Sequence, residues 1–371
     1  MKMNLTTLHG AYHPNNFGDV LILAIQTSWI KEITKGDVAL PFATQVYREQ
    51  IEVSSLKGIE SIEKSGQIVY GAGGYLGEPP TQKWRWGFSF FKKHVQVADT
   101  GFKNNKDLAI VGTGVGEITN IFTKRKVKKI CNRAKLIAVR DEESKTYLKK
   151  IGIDDSKINV TADVALSLTK DALPETAFDN LPTTIKSINE NLKYGIHIGI
   201  SKTEQNRNSL ENLFKDVLLF LNSRSDIHAV LIIDNDNKAQ NDAVKYLSEN
   251  LKNGYTIFRH KEIWETTAML SSLDVVLTNK LHVGIVSYAL GSIPIAIPYH
   301  SKTKRFYRQI KRDDLCLDIN NIKSNQVYEL LNNTLDDNWK REYKNTYDVE
   351  RKELYRKSLE NKELLKGFLI K

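Results

Sequence analysis

The stretch that decides the fold lies near the start of the chain and reads Leu5-Thr6-Thr7-Leu8-His9-Gly10-Ala11-Tyr12-His13-Pro14-Asn15-Asn16-Phe17-Gly18-Asp19. Its first four residues have the length and apolar content of a buried strand, and apolar residues recur at helical spacing through Val20–Ile33. A strand, a loop of small and polar residues and a helix in this order are typical of a parallel sheet covered by helices. The helix N-terminus presents free backbone N–H groups, which suit an anion.

The same alternation continues along the chain. In the first half the predicted strands are Leu5–Leu8, Val38–Phe42, Ile68–Tyr70, Leu108–Val111 and Leu136–Val139. In the second half they are Gly195–Ile200, Ala229–Ile233, Thr256–Phe258, Val275–Leu277 and Ile293–Ile297. Segments with helical spacing lie between many of them, among them Glu142–Ile151, Leu210–Leu221 and Ala239–Leu251. Short apolar strands separated by helices predict parallel sheets with helices on both faces.

A polar stretch containing Pro174 and Pro182 separates the two halves. We therefore predict a Rossmann-like domain over residues 1–168, a linker over 169–192, a second Rossmann-like domain over 193–335 and a helical C-terminal segment over 336–371. Two doubly wound α/β domains facing a cleft are the arrangement of the GT-B glycosyltransferases. Their ligands are expected at the carboxyl ends of the strands.

Composition narrows the class of protein. The 371 residues are 41% hydrophobic and 26% charged, as in ordinary globular chains, and carry a net charge of +10. No apolar run is long enough to span a bilayer and the N-terminus lacks a signal-peptide pattern, so we expect a cytoplasmic protein. Its basic character favours a phosphate-bearing ligand. Because no nucleic-acid-binding signature is present, nucleic acid is not expected as a partner.

Three loops of the first half are candidates for ligand contact. Asp19 either caps the first helix or positions and deprotonates a ligand hydroxyl. Glycine-rich turns follow two later strands, at Gly71–Gly77, which includes Gly73 and Gly74, and at Gly112–Gly116. Glycine allows a ligand to approach the backbone closely, although such turns also occur only to pass a helix over a sheet.

Aromatic and basic residues alternate over Lys83–Lys93, which contains Trp84 and Trp86. Such a segment either stacks on sugar rings or rests at a lipid headgroup interface, or it packs as an aromatic helix in the core. The sequence leaves these alternatives open.

Cationic residues follow three predicted strands. Arg140 either grips a phosphate or carboxylate with its forked guanidinium or pairs with Asp141 or Asp163. Lys280-Leu281-His282 places an ammonium group and an imidazole at a helix N-terminus, a pocket suited to a small dianion. The segment Pro298–Lys304, with Lys302, adds further phosphate contacts or is a solvated helix start.

Taken in order, these segments resemble the polysaccharide pyruvyl transferase family. The segments that carry the resemblance are Asn16-Phe17-Gly18-Asp19, Gly71–Gly77, Gly112–Gly116, Val139–Ser144, Thr161-Ala162-Asp163, Lys280-Leu281-His282 and Tyr299–Lys302. They extend over most of the chain. Lys280 stands where the family usually has arginine, which keeps the charge but loses the forked geometry.

The resemblance implies a pyruvyl transferase that moves the pyruvyl group of phosphoenolpyruvate onto a sugar of a cell-surface polysaccharide, as a ketal. It implies no metal and no cofactor, a donor side in the second domain and an acceptor side in the first. The acceptor glycan is expected to be lipid-linked in some cases, which would bring the enzyme to a membrane surface. The donor would contact Lys280, Leu281, His282, Arg140 and Lys302. The acceptor would contact Asn16, Gly18, Asp19, Gly73, Gly74, Trp84 and Trp86.

His282 is the expected acid and Asp19 the expected base. Two alternatives remain at this point. A GT-B nucleotide-sugar glycosyltransferase would use the same fold and a basic pocket for a diphosphate. A non-catalytic sugar-binding protein would keep the fold without the reaction.

Overall fold

A computed structural model describes residues 4–12, 16–79, 82–187, 191–298 and 301–370, with the backbone alone at Ser301. The chain forms two compact units. Unit 1 comprises residues 1–14, 19–167 and 355–371, and unit 2 comprises residues 15–18 and 168–354.

Unit 1 is built on a parallel sheet. Its strands are β1 (Leu5–His9), β2 (Asp37–Ala39), β3 (Gln67–Tyr70), β4 (Gly73–Leu76), β5 (Asp107–Val115), β6 (Leu136–Val139) and β7 (Ile158–Val160). The strand order is β2-β1-β3-β5-β6-β7, and β4 pairs with the end of β5. The chain runs outward from β1 to β2 and then returns to the other side of β1, so the topological switch point lies between β1 and β3.

Helices cover this sheet. They are α1 (Phe17–Thr34), α2 (Gln45–Gln50), α3 (Gly58–Lys64), α4 (Lys83–Phe90), α5 (Gln96–Lys103), α6 (Ile121–Arg133) and α7 (Glu142–Lys150). A π-helical turn, Phe91–Val95, joins α4 to α5, and 3₁₀ turns occur at Asp155–Lys157 and Val164–Ser167. The strands are buried almost throughout, as expected when helices lie on both faces.

Unit 2 repeats the architecture on a second parallel sheet. Its strands are β8 (Leu192–His197), β9 (Ile227–Ile233), β10 (Tyr255–Arg259), β11 (Val275–Thr278) and β12 (Ile293–Ala296), in the order β10-β9-β8-β11-β12. Its helices are α8 (Glu175–Asp179), α9 (Thr183–Lys186), α10 (Arg207–Asn222), α11 (Lys238–Asn250), α12 (Ile263–Ser271), α13 (Leu281–Ala289), α14 (Ser301–Gln309), α15 (Gln326–Asn333) and α16 (Asp337–Leu369). The 3₁₀ turns are Lys170–Ala172 and Asp313–Leu315. Here the switch point lies between β8 and β11.

The predicted α/β class with two doubly wound, Rossmann-like domains is confirmed, and every predicted strand is present. Two short strands, β4 and β7, were not predicted. The glycines explain part of the difference. Gly112 has a φ of +71° inside β5, where the pairing with β6 shifts register, so the third predicted glycine turn is a bulge within a strand. The second half of the Gly71–Gly77 turn is β4.

The predicted linker contains helices and buried residues rather than an extended connection. Leu173, Ala177 and Ile185 are buried, and α8 packs against α12 of unit 2. The segment therefore belongs to unit 2, which begins at Leu168. The predicted C-terminal helical segment is largely one helix, the 33-residue α16, whose residues from Tyr355 onward group with unit 1. Prolines made this region look like a connection, but its apolar residues recur at buried positions.

Within the described residues, no helix is both long and apolar enough to cross a membrane.

Two histidines meet in the core of unit 1 beside the switch point between β1 and β3. The Nε2 atom of His9 lies 2.7 Å from Nδ1 of His94, and the ring of Tyr75 stacks on His94 at a centroid distance of 4.6 Å. Both imidazoles are buried. Burial, followed by the charge on Lys93, lowers the pKa of His94 to about 3. Burial likewise lowers the pKa of His9 well below its ordinary value.

This pair makes the fold sensitive to acid. Each histidine is neutral in the folded protein and takes up a proton on unfolding below about pH 6.5, so the free energy of unfolding falls as the pH falls. His94→Phe keeps an aromatic ring against Tyr75 but removes one titrating group. Between about pH 6.5 and 3, the loss of stability per pH unit should shrink by about 1.4 kcal/mol in this variant, measured by urea unfolding.

Tyr75→Phe serves as the control because it keeps both histidines and should keep the wild-type pH slope. An unchanged slope in His94→Phe would show that His94 is already protonated in the folded protein.

Candidate functional site

The carboxyl edge of the second sheet carries a row of polar side chains. His197 is the last residue of β8, Asp234 and His260 directly follow β9 and β10, and Lys280 comes two residues after β11. The carboxyl ends of parallel strands meet at one edge, and the switch point between β8 and β11 is where doubly wound sheets bind ligands. The strand order therefore brings together residues that are far apart in sequence.

Asp234 is the centre of this row. Its Oδ1 atom lies 2.9 Å from His197 Nε2 and accepts a 2.6 Å hydrogen bond from the Gln240 side chain. The ammonium group of Lys280 donates to both carboxylate oxygens at 2.8 Å. The other ring nitrogen of His197, Nδ1, forms a 2.8 Å hydrogen bond with the hydroxyl of Thr278. Each of these side chains is thus oriented by a hydrogen bond to another member of the cluster.

The cluster keeps Asp234 ionised. Burial favours the protonated carboxyl, but the charge and hydrogen bond of His197, the charge of Lys280 and the hydrogen bond from Gln240 outweigh it and hold the pKa of Asp234 well below its usual range. The same surroundings act on His260. Its pKa is lowered, chiefly by burial and also by the Lys280 charge, against an opposing effect of Asp234.

The turn from β11 into α13 is fixed by its own side chains. Thr278 accepts a 3.0 Å hydrogen bond from the backbone N–H of Lys280, and the side chain of Asn279 accepts one at 2.9 Å from the N–H of Gly199. Lys280 is the N-cap residue of the nine-residue helix α13. The N–H groups of the first turn, including those of Leu281 and His282, therefore add positive potential at the end of the helix that carries Lys280. An ammonium group at a helix N-terminus forms a site for an anion.

Gly18 lies against His282 within unit 2, to which residues 15–18 belong. A Cβ atom built on Gly18 would lie 2.3 Å from both Cβ and Nδ1 of the imidazole, closer than atoms approach in proteins. Position 18 must therefore be glycine if His282 is to keep its place. Phe17, its neighbour, meets His260 edge-on at a centroid distance of 5.7 Å. The structure thus brings the loop at Asn16–Gly18 to the residues after β10 and β11.

Asp19 is the third residue of α1 and only 7% exposed. The N-cap residue precedes the first residue of a helix, so Asp19 is not the N-cap of α1. Of the two predicted roles of Asp19, N-capping is therefore wrong. Asp19 remains an acidic residue in the first turn, where the helix dipole stabilises a carboxylate. Burial and the Asp19 charge raise the pKa of Tyr47, in unit 1, to about 12.

The glycine loops of unit 1 pack on one another. Gly73 has a φ of +127°, which favours glycine, and a Cβ at Gly77 would lie 2.6 Å from Gly116. The backbone N–H of Gly116 donates to Leu76. Gly73 is buried and Gly74 is half-buried. Close packing of backbone on backbone, as well as ligand approach, therefore accounts for glycine here.

Arg140 is buried in unit 1. Its Nη1 atom donates to Asp163 at 3.0 Å, Nε lies 3.6 Å from Asp141, and a Cβ on Gly114 would meet the guanidinium at 2.7 Å. Of the two predicted roles, this geometry favours the ion pair. Asp141 in turn accepts from the N–H of Ser144 as the N-cap of α7.

The aromatic segment divides between core and surface. Phe90 is buried, and Trp86 packs on it at 5.1 Å between ring centroids. Trp84 is 87% exposed. Trp86 therefore takes the core role, whereas Trp84 remains available to a partner.

Lys302 lies half-buried in the first turn of α14. Tyr299 and His300 of the same predicted segment lie outside the described residues.

Sequence reasoning missed three members of the site, His197, Asp234 and His260. Asp234 directly follows the predicted strand Ala229–Ile233, and a polar residue at the carboxyl end of a buried strand is a usable signal. His197 lies inside the predicted strand Gly195–Ile200, and His260 lies two residues beyond the predicted strand Thr256–Phe258. Sequence reasoning also lacked the strand order, which only tertiary structure supplies. Among the residues that the structure describes, no group of three or more His, Cys, Asp or Glu side chains is arranged to hold a metal ion.

Comparison with known proteins gives a family and a fold. The family model described as polysaccharide pyruvyl transferase matches residues 16–301. No curated protein matches the chain.

Several solved structures share the fold. A putative UDP-N-acetylglucosamine 2-epimerase from Listeria monocytogenes has a TM-score of 0.65 at 12% identity and covers 97% of this chain and 94% of its own. The UDP-GlcNAc 2-epimerase from Neisseria meningitidis, bound to UDP-GlcNAc, has a TM-score of 0.65 at 10% identity, with 98% and 99% covered. Anabaena Alr3699/HepE in complex with UDP has a TM-score of 0.59 at 13% identity, with 99% of both chains covered. The fold is thus GT-B-like, as predicted.

The buried Asp234 predicts a defined pH dependence of stability. Asp234→Asn removes the charge that holds Lys280 and His197 and should lower the free energy of unfolding by about 1–3 kcal/mol at neutral pH. Because the pKa of Asp234 is depressed in the folded protein, its contribution is fully present above about pH 4 and is lost as the pH falls further. The stability gap between wild type and variant, measured by urea unfolding, should narrow in that acidic range.

Asp226→Asn is the matched control. Asp226 pairs with Arg224 at 2.6 Å on the surface of the same unit, with its side chain 55% exposed, so its loss should change stability little at any pH. Equal effects of the two substitutions would contradict a special role for Asp234.

Proposed function

The chain belongs to the polysaccharide pyruvyl transferase family, and on that premise we propose that it moves the pyruvyl group of phosphoenolpyruvate onto a sugar. The acceptor is a sugar of a cell-surface polysaccharide or of its lipid-linked precursor. Two hydroxyls of that sugar take the pyruvyl carbon as a cyclic ketal, and inorganic phosphate leaves. Phosphoenolpyruvate is both the donor and the energy source, so the proposal calls for no cofactor. The reaction is placed in the cytoplasm, where this donor is made.

One observation carries the proposal. The ammonium group of Lys280 stands at the N-terminus of α13 and is held there by Asp234 through two hydrogen bonds. An ammonium group has three N–H donors, which leaves a third for a ligand. Together with the N–H groups of Leu281 and His282, it forms a compact binding site for the phosphate of the donor. Lys302 is proposed as a further phosphate contact.

Lys280 stands where the family usually has arginine, and its ammonium group reaches both oxygens of Asp234 at 2.8 Å each. A guanidinium would offer five donors in a plane and could hold Asp234 and the donor together. Lysine therefore keeps the charge with fewer hydrogen bonds to the donor.

We assign the proton transfers to His282 and Asp19. His282 gives a proton to the methylene carbon of the enol, which leaves an oxocarbenium-like centre at the adjacent carbon. A sugar hydroxyl attacks that carbon while Asp19 accepts its proton. A second hydroxyl then forms the other C–O bond of the ketal as the C–O bond to phosphate breaks, and its proton leaves with the phosphate. Lys280 and the α13 N–H groups stabilise the charge that develops on the leaving group.

The acceptor is assigned to the segment Asn16–Asp19 and to the glycine loops of unit 1. We propose that Asn16, Gly18 and Asp19, with Gly73 and Gly74, line its path, and that the exposed Trp84 lies near its glycan or lipid portion. Trp86 and Arg140 are left out of the contacts, since one packs on Phe90 and the other is engaged by Asp163.

The second candidate is a nucleotide-sugar transferase or epimerase. The observation that favours it is that structures of the same fold bind UDP or UDP-GlcNAc. A diphosphate would suit the same helix N-terminus. The family match favours pyruvyl transfer, and ligand binding separates the two.

Donor binding should stabilise the purified protein against heat. At about one hundred times its dissociation constant, phosphoenolpyruvate should add about 2.7 kcal/mol to the free energy of unfolding, seen as a rise in melting temperature. Lys280→Ala and His282→Ala should lose this rise, and Lys280→Arg should keep it because the charge remains.

Lys215→Ala serves as the control, since Lys215 is exposed on α10 of the same unit. It should respond like wild type. A rise with UDP-GlcNAc or UDP and none with phosphoenolpyruvate would overturn the proposal in favour of the second candidate.

Gly18→Ala should lower the turnover rate about 100-fold while the protein stays folded. The added methyl group must displace the imidazole of His282, and a catalytic group misplaced by about 1 Å costs about 100-fold in rate. The measurement is phosphate release from phosphoenolpyruvate in the presence of a lipid-linked glycan fraction.

Gly367→Ala in α16 is the matched control, because its Cβ would meet no atom within 4 Å. It should keep full activity. Equal rates for Gly18→Ala and Gly367→Ala would show that His282 has no part in the reaction.

A further inference from the structure

Unit 1 presents a group of large apolar side chains to solvent. Trp84 is 87% exposed, Phe88 65%, Ile121 56% and Phe122 65%. We call these four residues the α4–α6 patch. Trp84 and Phe88 are four residues apart in α4 and therefore lie on the same face of the helix. Ile121 and Phe122 are the first two residues of α6.

The two helices touch beside the patch. A Cβ on Gly87 would lie 4.0 Å from the hydroxyl of Thr123, in the first turn of α6. Lys83, at the start of α4, donates to the hydroxyl of Thr119 at 3.4 Å. The exposed apolar residues of α4 and α6 are therefore carried by adjacent elements.

The start of α6 is held in place by hydrogen bonds. The Glu78 carboxylate accepts from the backbone N–H groups of Thr119 and Asn120, each at 2.8 Å. The side chain of Asn120 then caps α6 by accepting from the N–H of Phe122 at 2.9 Å. The exposed Phe122 thus lies in a well-ordered first turn of α6. Ordered, exposed aromatic residues of this size mark an interaction surface.

The two elements that carry the patch are strongly basic in sequence. Neither the segment from Lys83 to Val95 nor α6 contains an aspartate or glutamate. Together they carry Lys83, Arg85, Lys92, Lys93, Lys124, Arg125, Lys126, Lys128, Lys129 and Arg133. Asp99 pairs with two of them, Lys126 at 3.3 Å and Lys129 at 3.0 Å. Lys92 lies over the ring of Phe88, 4.7 Å from its centroid, so cations and apolar rings interleave.

We propose that the α4–α6 patch docks on the surface of an anionic lipid bilayer. Tryptophan, phenylalanine and isoleucine side chains enter the boundary between headgroups and acyl chains, while the surrounding cations bind the headgroups. A polyanion without an apolar part would satisfy the cations and leave the rings in water, and a second copy of this chain would place like charges together. An anionic bilayer offers headgroups for the cations and an apolar layer for the side chains of the patch.

The test is co-sedimentation with vesicles, which requires neither donor nor acceptor. Its failure would therefore leave the proposed pyruvyl transfer untouched. Wild-type protein should bind vesicles of phosphatidylcholine mixed with phosphatidylglycerol, and bind phosphatidylcholine alone at least tenfold more weakly. Lys92→Gln with Lys93→Gln should weaken binding to the mixed vesicles about fivefold per charge, equivalent to ~1 kcal/mol each. Trp84→Ser with Phe88→Ser should weaken it by about tenfold or more.

Matched controls come from unit 2. Lys215→Gln with Lys252→Gln removes two exposed lysines, and Tyr255→Ser with Val349→Ser removes two exposed large side chains. Both should bind like wild type. Equal losses in patch and control variants would overturn the proposal, as would binding to RNA that the Trp84 variant weakens while vesicle binding is absent. A shift from dimer to monomer in the Trp84 variant, without any vesicle binding, would assign the patch to a second copy of the chain.

Discussion

The buried carboxylate of Asp234 is the constraint on which the candidate site depends. A charge taken out of water must be paired and hydrogen-bonded, and this requirement fixes His197 on β8, Gln240 on α11 and Lys280 at the start of α13. Three strands and two helices are thereby locked at one edge of the sheet. His197, Gln240 and Lys280 are preorganised for the same reason that the cluster is stable, since each is held by a hydrogen bond to Asp234.

The two units use one architecture with different chemistry at the switch point. In unit 1 the carboxyl ends of β1 and β3 meet at a neutral pair, His9 and His94, within aromatic rings. In unit 2 the equivalent position carries an ion pair and a helix N-terminus. The histidine pair is buried and belongs to the core of unit 1, whereas a cation at a helix N-terminus suits a phosphate.

Glycine has several distinct purposes in this chain. Gly18 leaves room for the imidazole of His282, Gly114 leaves room for the guanidinium of Arg140, and Gly77 allows backbone to meet backbone at Gly116. The sequence alone shows only that each of these positions is glycine, without the reason for it. The glycines that looked like ligand-binding turns are therefore partly packing devices, and the one with the clearest consequence for chemistry, Gly18, owes its role to a residue more than 260 positions away in the chain.

The sequence by itself determined the α/β class and most of the strands, because apolar periodicity and turn residues are local properties. It also predicted Lys280 and His282 as site residues, since a cation and an imidazole at a strand-to-helix turn are visible in three consecutive residues. Only the tertiary structure decided their partners. Asp234, His197 and His260 became members of the site through the order β10-β9-β8-β11-β12, which local pattern does not encode. The same reason applies to Arg140 and to the aromatic segment: whether a polar or aromatic side chain faces a ligand, an ion partner or water depends on what the fold places beside it.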